Sequence, residues 1–376
     1  MRMNKETQLQ RGNRWLLLLL LVAGSMTGYA QSENEYFTYA DASKTTIDGL
    51  TDAGTAATSL TIPAAVTTVR SGAFADANKL RTLTIDGGNP TFAGSLFGTN
   101  SSTLTSINMG SRMTMANMKA LLTSIGANSP LTTVTIDGYS DADASTWTGL
   151  TWSDTEMTGI LTSSVSVVIP AEKVYSTQTF GNATVKGRFN IDKEIISFCT
   201  SATFEDDGNN NMLFYVADKI ADDGRLHIQR VYYIGAGKGV LIHRTENSSG
   251  YCDLPRVSGT YTYSANMLVG VTEDTHIDAI DGNKTNYVLK NGAFHPTSGG
   301  TIGANKAYLQ IPTAAARAET LAIEFPDEET EIKSLTPAPS PMEEGSGYYD
   351  LQGRKLDTKP TTKGIYINNG KKYIIR

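Results

Sequence analysis

The side chains that carry out chemistry in proteins are present in this sequence, but not at the spacings that catalysis or metal binding needs. The four histidines, His227, His243, His276 and His295, do not form a zinc-binding pattern such as His-x-x-x-His. No Gly-x-Ser-x-Gly turn exposes a nucleophilic serine. The glycine-rich segment 235–239 lacks the spacing of a phosphate-binding loop, and we interpret it as a hairpin turn between two strands. We therefore expect no catalytic residues, no cofactor, no metal site and no enzymatic activity.

Two acidic segments carry the oxygen ligands that calcium prefers. One contains Asp137, Asp141 and Asp143, and the other contains Asp206 and Asp207. Neither segment has the ordered ligand spacing of an EF-hand or of a nonapeptide calcium repeat. These aspartates are therefore interpreted as parts of solvated loops.

Trp147 and Trp152 could contact a ligand, because aromatic rings stack on sugars and anchor protein partners. Both lie in an enlarged interval between two repeats of the chain, where an insertion would project from the fold. The alternative is that both rings pack against the neighbouring repeats. The sequence leaves both interpretations open.

The sequence contains two cysteines, Cys199 and Cys252. In an oxidising compartment these residues could form a disulfide. They could equally be buried thiols on neighbouring strands, and the sequence does not decide between the two.

A short repeated pattern organises the first half of the chain. It consists of an apolar or small residue, two spacers, an apolar anchor, one spacer and a second apolar residue. The copies occupy residues 57–62, 80–85, 104–109 and 131–136, with a looser copy at 164–169. Their anchors are Leu60, Leu83, Ile107, Val134 and Val167, which are separated by 23, 24, 27 and 33 residues. The first three intervals lie within or near the range of a leucine-rich repeat.

On a strand, alternate side chains point to opposite faces, so each anchor shares a face with the second apolar residue of its copy. Stacked copies would bury this apolar face as one continuous core. The residues between the anchors would then line the solvent side of a parallel sheet. This predicted binding surface contains Thr61, Arg81, Thr82, Thr84, Ser106, Asn108, Thr133 and Thr135.

The segment from Leu60 to Leu80 resembles the BspA-like leucine-rich repeats of surface proteins of Bacteroidetes type. Its landmarks are Leu60-Thr61-Ile62-Pro63, Val66-Thr67-Thr68-Val69 and Ala73-Phe74. The resemblance weakens towards residue 190, and between Met113 and Ser129 the spacing of apolar residues predicts a helix. The resemblance implies a leucine-rich-repeat solenoid over residues 31–190 that recognises surface macromolecules.

Residues 1–30 have the three parts of a secretory signal peptide. Basic residues precede an apolar run from Leu16 to Leu21, and Gly28-Tyr29-Ala30 provides a cleavage site. The apolar run is about half of the roughly 20 residues that a membrane-spanning helix needs. We therefore expect a secreted mature chain without a transmembrane span.

The formal net charge of −6 becomes more negative when the basic leader is removed. The remaining lysines and arginines are dispersed, whereas nucleic-acid binding needs a clustered basic face. We expect no nucleic-acid partner.

After residue 190 the repeat pattern stops, and short strand-like segments alternate with acidic or glycine-rich turns. The predicted strands are Ile195–Phe198, Met212–Val216, Leu226–Ile234, Gly239–His243, Tyr261–Val271, Tyr287–Leu289 and Ala307–Ile311. This pattern is typical of an antiparallel, sandwich-like or barrel-like β module, and we assign a sandwich-like module to residues 191–325.

The last fifty residues change character twice. Residues 326–347 are rich in proline and glutamate, which predicts an extended linker. Residues 348–376 contain Asn369-Gly370 between two β-rich runs, the strongest short signal for a hairpin. This tail resembles the C-terminal sorting domain of type IX secretion substrates, which implies passage through that secretion machinery; a small β cap is the alternative.

Taken together, the sequence predicts a mainly β protein with minor α content. It consists of a leucine-rich-repeat solenoid, an antiparallel β module and a small C-terminal β hairpin domain. The resemblance implies adhesion to, or recognition of, a protein or glycan on a host, bacterial or matrix surface. It also implies a place outside a Gram-negative cell, in the medium or on the outer-membrane surface. A carbohydrate-capturing accessory protein that uses Trp147 and Trp152, or a passive structural protein of the envelope, are the alternatives.

Overall fold

The structure is a computed structural model that describes residues 35–326 and 348–375 except 111, 128, 139–146, 207, 209–211, 246–249, 317–318, 351–354, 357–359, 362–363 and 369–370. The described residues form two compact units, one that ends at Glu324 and one that begins at Phe325. The predicted signal peptide lies outside the described residues, as does all of the predicted linker except Pro326.

The described residues up to Asn190 form a succession of short strands and helices. The strands are β1 (Phe37–Tyr39), β2 (Thr46–Leu50), β3 (Ser59–Ile62), β4 (Thr68–Val69), β5 (Thr82–Ile85), β6 (Thr91–Phe92), β7 (Ser106–Met109), β8 (Thr133–Ile136), β9 (Ser166–Pro170) and β10 (Thr184–Asn190). The helices are α1 (Asp52–Ala56), α2 (Met115–Ile125) and α3 (Thr155–Ile160), with 3-10 turns at Trp147–Gly149 and Ala171–Lys173.

The described residues after Asn190 are almost entirely β. Up to Glu324 the strands are β11 (Ile195–Phe198), β12 (Thr203–Glu205), β13 (Met212–Ile220), β14 (Leu226–Val231), β15 (Tyr233–Ile234), β16 (Val240–Arg244), β17 (Tyr251–Val257), β18 (Leu268–Val271), β19 (Thr275–Ile277), β20 (Ile280–Asp281), β21 (Lys284–Lys290), β22 (Ala293–Pro296), β23 (Gly300–Ile302), β24 (Lys306–Pro312) and β25 (Leu321–Glu324). The predicted strand at Tyr261–Val271 is wrong over most of its length, because only Leu268–Val271 is extended and paired.

Six strands of the first region lie side by side and parallel, in the order β3-β5-β7-β8-β9-β10. The repeat anchors are direct neighbours in this ladder: Leu60 lies opposite Leu83, which lies opposite Ile107. The row continues through Val134 and Val167 and ends at Val185 of β10, and all six side chains are buried. The sequence period therefore corresponds to the distance along the chain from one strand to the next.

The two strands that precede the ladder, β1 and β2, form a second, smaller sheet with β4 and β6, which lie in the segments that return from one ladder strand to the next; its order is β1-β2-β4-β6. Its parallel pairs join Ile47 to Val69 and Val69 to Phe92. The apolar core lies between the two sheets and contains Phe37, Phe74 and Phe97, whose rings contact one another in sequence.

In the next copy α2 takes the place of a strand, as the sequence predicts. The Thr114 side chain accepts a hydrogen bond from the Asn117 amide and caps the first turn, and the helix ends at Gly126, whose φ is 77°. Met118, Leu121, Leu122 and Ile125 point into the core at helical spacing. This helix packs between β6 and α3.

The parallel sheet does not end at the predicted boundary after residue 190. Strand β17 pairs antiparallel with β10, and β12 and β15 follow, so the complete order is β15-β12-β17-β10-β9-β8-β7-β5-β3. Strands from residues 203–257 thus cover the edge that β10 would otherwise expose. Proteins usually cover such edges, because the unpaired backbone groups of an exposed strand can pair with another chain. The two predicted regions share one sheet.

Most other strands of residues 195–324 form a large sheet in the order β11-β16-β13-β14-β25-β22-β21-β24-β18, with β20 paired to β21, while β19 and β23 form a separate antiparallel pair. Its two ends approach each other, since Lys238, just before β16, forms a bridge to Val269 of β18. The Cys199 amide also donates to the Asn305 carbonyl at 3.2 Å. This sheet is nearly closed and barrel-like, which corrects the predicted sandwich-like module. Its pairs are antiparallel except β14 with β25.

Strand β13 is buried on both faces and joins the two cores. Tyr215 and Ala217 point into the barrel, where they join Leu241, Tyr287 and Phe294. On the opposite face, Phe214 lies 5.7 Å from Phe189 of β10, measured between ring centroids. Because these rings pack between the sheets, the residues up to Glu324 form one unit.

The chain after Phe325 contributes a separate four-stranded sheet. Its strands are β26 (Tyr348–Tyr349), β27 (Lys355–Leu356), β28 (Gly364–Asn368) and β29 (Lys371–Ile375), in the order β27-β26-β28-β29. The predicted pairing of the last two strands is confirmed, with Asn368 opposite Lys371. The predicted turn residues Asn369 and Gly370 lie outside the described residues.

Strands make up 42% of the described residues and helices 10%, so the prediction of a mainly β protein with minor α content is confirmed. The structure does not show a solenoid that stands as a domain by itself, because the parallel strands continue into a sheet shared with the next region. None of the helices that the structure describes is long and apolar enough to cross a membrane.

Candidate binding face

The outer face of the parallel strands brings most of the predicted binding residues together. One row runs across the strands through Thr61, Thr84, Asn108 and Thr135. A second row, two residues earlier on each strand, contains Thr82, Ser106 and Thr133 between Ser59 and Ser166. Neighbouring strands of a sheet are about 4.8 Å apart, so the rows form a regular grid of short polar side chains.

The residues of this grid are not equally accessible. Thr61, Thr82, Thr84, Ser106, Asn108 and Thr133 are partly exposed, whereas Thr135 is buried, with 4% of its surface accessible. The Asn108 amide group donates to the Thr84 hydroxyl at 3.3 Å. The prediction for Thr135 as a direct contact residue is wrong, because its side chain has almost no surface left to offer.

Arg81 lies just before β5, at the margin of the grid rather than within it. Its side chain is exposed, but one guanidinium nitrogen donates to the carbonyl oxygens of Leu80 and Thr103, both at 3.2 Å. These bonds tie the guanidinium to the backbone of its own turn and of the next one. Arg81 therefore has a structural role besides any contact with a ligand.

Several threonines next to the grid bond to the preceding copy of the repeat. The Thr105 hydroxyl donates to the Arg81 carbonyl at 3.2 Å, and the Thr132 hydroxyl donates to the Thr105 carbonyl at 3.0 Å. In the second sheet, Thr67 and Thr91 make the same bond one copy back, at 3.3 and 3.2 Å. The threonine-rich composition thus serves the stacking as well as the surface.

The predicted role of Trp152 as a sugar platform is wrong. Its side chain is buried, with 1% exposed, and its ring meets Phe180 edge to face with 5.1 Å between centroids. A parallel bridge between Trp152 and Phe180 draws this segment into the core. Trp147 is half-buried and packs against the same core, and its carbonyl accepts a hydrogen bond from Gln178. Packing, the second alternative for these residues, is the correct one for Trp152.

The possible disulfide between Cys199 and Cys252 is not formed, and both residues are buried thiols. Burial raises the pKa of Cys199 to about 11. The Cys252 sulfur lies 3.6 Å from the sulfur of Met212. The cysteines are on separate parts of the fold, Cys252 in β17 and Cys199 after β11, so each packs as a small core residue.

The grid ends at a group of larger charged and aromatic residues that sequence reasoning missed. Arg188 of β10 lies opposite Asp253 of β17, and two hydrogen bonds of 2.8 Å join the guanidinium to the carboxylate. The guanidinium carbon lies 5.1 Å from the centre of the Tyr251 ring, and Tyr251 is 53% exposed. The hydrogen bonds that Arg188 donates to Asp253 are the largest cause that raises the pKa of Arg188, and the charges of Asp253 and Asp137 add to it.

Beside this group lies a cavity of about 390 Å³ at the carboxyl ends of β8, β9 and β10. Its floor includes Val168 and Pro170, and its polar lining includes Asp137, Glu172 and Asn190 as well as Arg188. The alternation of Lys186, Arg188 and Asn190 with Val185, Gly187 and Phe189 was a readable signal for the outward side of β10. The partner strand β17 begins some sixty residues later, and no local pattern predicts that pairing.

The four histidines lie on four different strands, β14, β16, β19 and β22. The closest histidine–carboxylate pair is His227 with Asp218, at 2.6 Å on neighbouring strands. Within the part of the chain that the structure describes, no three histidine, cysteine or acidic side chains come together as a metal site would require. The loop at 235–239 connects strands of two different sheets, so its interpretation as a hairpin turn is wrong.

Comparison with known proteins adds no assignment to this geometry: no family model matches the chain, and no curated protein or solved structure matches it.

Proposed function

We propose that this chain is a secreted or cell-surface recognition protein of the leucine-rich-repeat type, similar to the BspA-like surface proteins. Its role is adhesion to surface macromolecules of host or bacterial cells. The ligand contacts the outer face of the parallel strands, through the grid that contains Thr84, Ser106, Asn108 and Thr133. No chemical step is involved.

The observation that supports this proposal is the register of the strands. The apolar anchors form one buried row, so the residues between them form aligned polar rows on the other face. Short hydroxyl and amide side chains lose little conformational entropy when they bind, and each can both donate and accept a hydrogen bond. A broad grid of this kind suits many weak polar contacts to an extended ligand.

The leucine-rich-repeat interpretation also accounts for the second sheet. Each copy consists of a strand of the parallel sheet and a return segment, and β4 and β6 in two of those segments pair in register with each other and with β2, which precedes the first copy. A repeat protein whose copies contact mainly their neighbours produces such a ladder. The strands β17, β12 and β15 would then act as the cap that terminal repeats need.

The proposed location outside a Gram-negative cell depends on the two ends of the sequence. The leader in residues 1–30 directs export, and the tail in residues 348–376 serves the type IX secretion machinery. The test is deletion of residues 348–376 in the native host. Retention of the protein inside the cell supports the sorting role, whereas unchanged surface display would show that the tail is only a β cap.

Recognition by the grid is tested with the full mature chain in a cell-binding or matrix-binding assay. Replacing Ser106 and Asn108 together by lysine should abolish binding, because the two introduced lysine side chains would be long and charged and would block the middle of the grid. Replacing Thr67 and Thr91 together by lysine is the matched control, since both are exposed, Thr67 just before β4 and Thr91 in β6 of the second sheet. Equal binding by both double variants would place the contact surface elsewhere.

A milder test uses Arg81→Ala with Asn108→Ala, which shortens two side chains without adding charge. We expect weaker binding with an unchanged fold. Since Arg81 also donates to backbone carbonyls, thermal unfolding of this variant has to be measured beside its affinity. A loss of affinity without a loss of stability identifies a contact role.

A further inference from the structure

The end of the grid at β10 and β17 differs in chemistry from its middle. The middle carries threonine, serine and asparagine, whereas the end carries Arg188, Asp253 and the half-exposed ring of Tyr251. Tyrosine and arginine are the residue types that most often dominate binding energy at an interface. The strongest contact on this face is therefore expected at its β10–β17 end.

The cavity beside these residues has the size of a small-ligand site rather than of a protein interface. Its volume of about 390 Å³ lies in the range of roughly 300–1,000 Å³ that is typical of small-molecule sites. Such sites are usually lined by apolar groups. Here Asp137, Glu172, Arg188 and Asn190 stand around a small apolar floor at Val168 and Pro170, so the matching ligand is itself rich in polar groups.

The charges of the lining exclude an anionic ligand. Asp137 and Glu172 are acidic, and the one arginine of the lining already makes two hydrogen bonds to Asp253. An incoming carboxylate, sulfate or phosphate would meet two carboxylates and a guanidinium whose charge is already balanced. Like charges at close range disfavour binding, so the cavity fits a neutral ligand or one with a positive charge.

We propose that the cavity at the carboxyl ends of β8, β9 and β10, together with Tyr251, binds a terminal unit of a neutral glycan. This inference rests on the proposed recognition function and names its ligand class. Sugar hydroxyls donate to Asp137 and Glu172, and they exchange hydrogen bonds with the Asn190 amide, which both donates and accepts. The two hydrogen bonds to Asp253 hold the Arg188 side chain in position at the edge of the cavity.

Tyr251 supplies the apolar part of the contact. It lies opposite Asn190 in the strand pair, and Arg188 stands over its ring. The C–H face of a sugar ring packs on an aromatic side chain of this kind, while the hydroxyls at its edge reach polar neighbours. The threonine and serine grid then accommodates the remaining units of the same glycan chain.

The chain provides a matched control for Tyr251 within its own fold. Tyr232 is 39% exposed, and Arg230 lies over its ring at 5.2 Å and bonds Asp206 at 2.7 Å. This group repeats the tyrosine, arginine and aspartate arrangement, but Tyr232 belongs to the connection between β14 and β15, and its arginine, Arg230, does not line the cavity as Arg188 does. Replacing either tyrosine by alanine removes the same chemical group.

The experiment measures binding of the full mature chain to neutral oligosaccharides that end in mannose, galactose or N-acetylglucosamine. Matched oligosaccharides that carry sialic acid or sulfate are measured in parallel. We expect binding of at least one neutral series and weaker binding of its anionic forms. Tyr251→Ala should lower the affinity about tenfold, as loss of an aromatic contact does. Asp137→Asn should also weaken binding, and Tyr232→Ala should leave it unchanged.

Three outcomes would overturn the inference. They are stronger binding of the anionic oligosaccharides, equal affinity of the wild type and Tyr251→Ala, and no binding of any neutral oligosaccharide. In the last case the lysine substitutions at Ser106 and Asn108 separate the two proposals. If they still abolish attachment to cells, recognition by the grid stands and only the glycan assignment fails.

Discussion

Arg188 and Asp253 face each other across the one strand pair at which the run of parallel strands meets the antiparallel strands of the next region, as far as the described residues show. Their two hydrogen bonds are 2.8 Å long, and the side chains are 32% and 25% exposed. A planar guanidinium that binds both carboxylate oxygens fixes direction as well as distance. The pair therefore holds β17 in register on the last strand of the repeat ladder.

Removing the charge of Asp253 should destabilise this junction measurably. We expect Asp253→Asn to lower the free energy of unfolding by about 1 kcal/mol, because a partly buried charge-assisted pair becomes a neutral one. Denaturant unfolding measures the difference. Asp48→Asn is the control, since Asp48 pairs with Arg70 at a site where both side chains are about half exposed. Its effect should be at most about 0.5 kcal/mol and should disappear in high salt.

The row of anchors predicts a sharp difference between neighbouring residues of β7. Ile107 is buried between Leu83 and Val134, and Asn108 belongs to the outer grid. Ile107→Ala should cost about 2–5 kcal/mol of unfolding free energy and Ile107→Val about 0.5–1.5 kcal/mol. Asn108→Ala should change it by no more than about 0.5 kcal/mol, as is usual for surface positions. Equal costs at the two positions would contradict the assigned faces.

The packing of the Phe204 ring of β12 over β10 requires a glycine at position 187. A Cβ atom at Gly187 would collide with ring carbons of Phe204, whose ring packs over this position. Gly187→Ala should therefore destabilise the protein by about 1–3 kcal/mol, the usual cost of overpacking. Denaturant unfolding of the wild type and of Gly187→Ala measures this loss of stability.

A double-mutant cycle with Phe204→Leu shows whether that contact is the cause. The smaller side chain should recover part of the stability that Gly187→Ala loses, because the two residues interact directly. Gly159→Ala in α3 is the control, since a Cβ there meets nothing within 4 Å and alanine favours helix. A cycle in which the two costs simply add would rule out the proposed clash.

Local patterns in the sequence were sufficient to predict the strands of the repeat ladder. The first four anchors recur at intervals of 23, 24 and 27 residues, and stacking one copy on the next needs no information from distant parts of the chain. For the same reason α2 was predictable from the spacing of Met118, Leu121, Leu122 and Ile125. The prediction fails where the order of pairing departs from the order of the chain, as at β10 and β17.

The candidate site shows the same limit. The grid residues follow from alternation on each strand, but burial of Thr135 and Trp152 depends on neighbours that alternation does not reveal. Arg188 could be assigned to an outer face, yet its partner Asp253 and neighbour Tyr251 come from a strand beginning sixty residues away. Long-range pairing of this kind depends on how whole sheets pack against each other, and no local pattern in the sequence indicates it.

The two cysteines should remain reduced and unreactive in the folded protein. Burial raises the pKa of the Cys199 thiol to about 11, so very little of the reactive thiolate is present at pH 8. We expect a thiol-specific reagent to modify fewer than two groups on the native chain within minutes and both groups after denaturation. Measurement without reductant, on protein recovered from the medium, makes the test decisive. A disulfide between Cys199 and Cys252 in that material would contradict the structure.

The ion pair between Lys119 and Asp154 should stabilise the protein near neutral pH, and this contribution should be lost in acid. Asp154 precedes α3, where one carboxylate oxygen accepts from the Met157 amide and the other binds the Lys119 ammonium at 2.6 Å. The hydrogen bond from Lys119 is the largest cause that lowers the pKa of Asp154 below its ordinary value of 3.8, followed by the bond from the Met157 amide. Folding therefore favours the charged form of this carboxyl group.

The sign of the pH dependence follows from that direction. Above pH 3.8 the carboxylate is charged in both states, and its contribution to stability is complete. As the pH falls below 3.8, the unfolded chain takes up the proton first, and the contribution disappears as the pH passes the lower value of the folded protein. Asp154→Asn keeps an oxygen for the Met157 amide but removes the charge. Its unfolding midpoint should lie below that of the wild type at pH 6 and approach it at pH 2.

Two further variants identify the partner responsible. Lys119→Met removes the ammonium and keeps the apolar stem, so it should reproduce most of the effect of Asp154→Asn. Glu156→Gln changes an exposed acidic residue in the first turn of the same helix and keeps both bonds to Asp154. If Glu156→Gln changes the unfolding midpoint between pH 6 and pH 2 as much as Asp154→Asn does, the general negative charge at the start of the helix is responsible for the pH dependence. A difference confined to Asp154 and Lys119 assigns the acid dependence to the bond that joins α2 to α3.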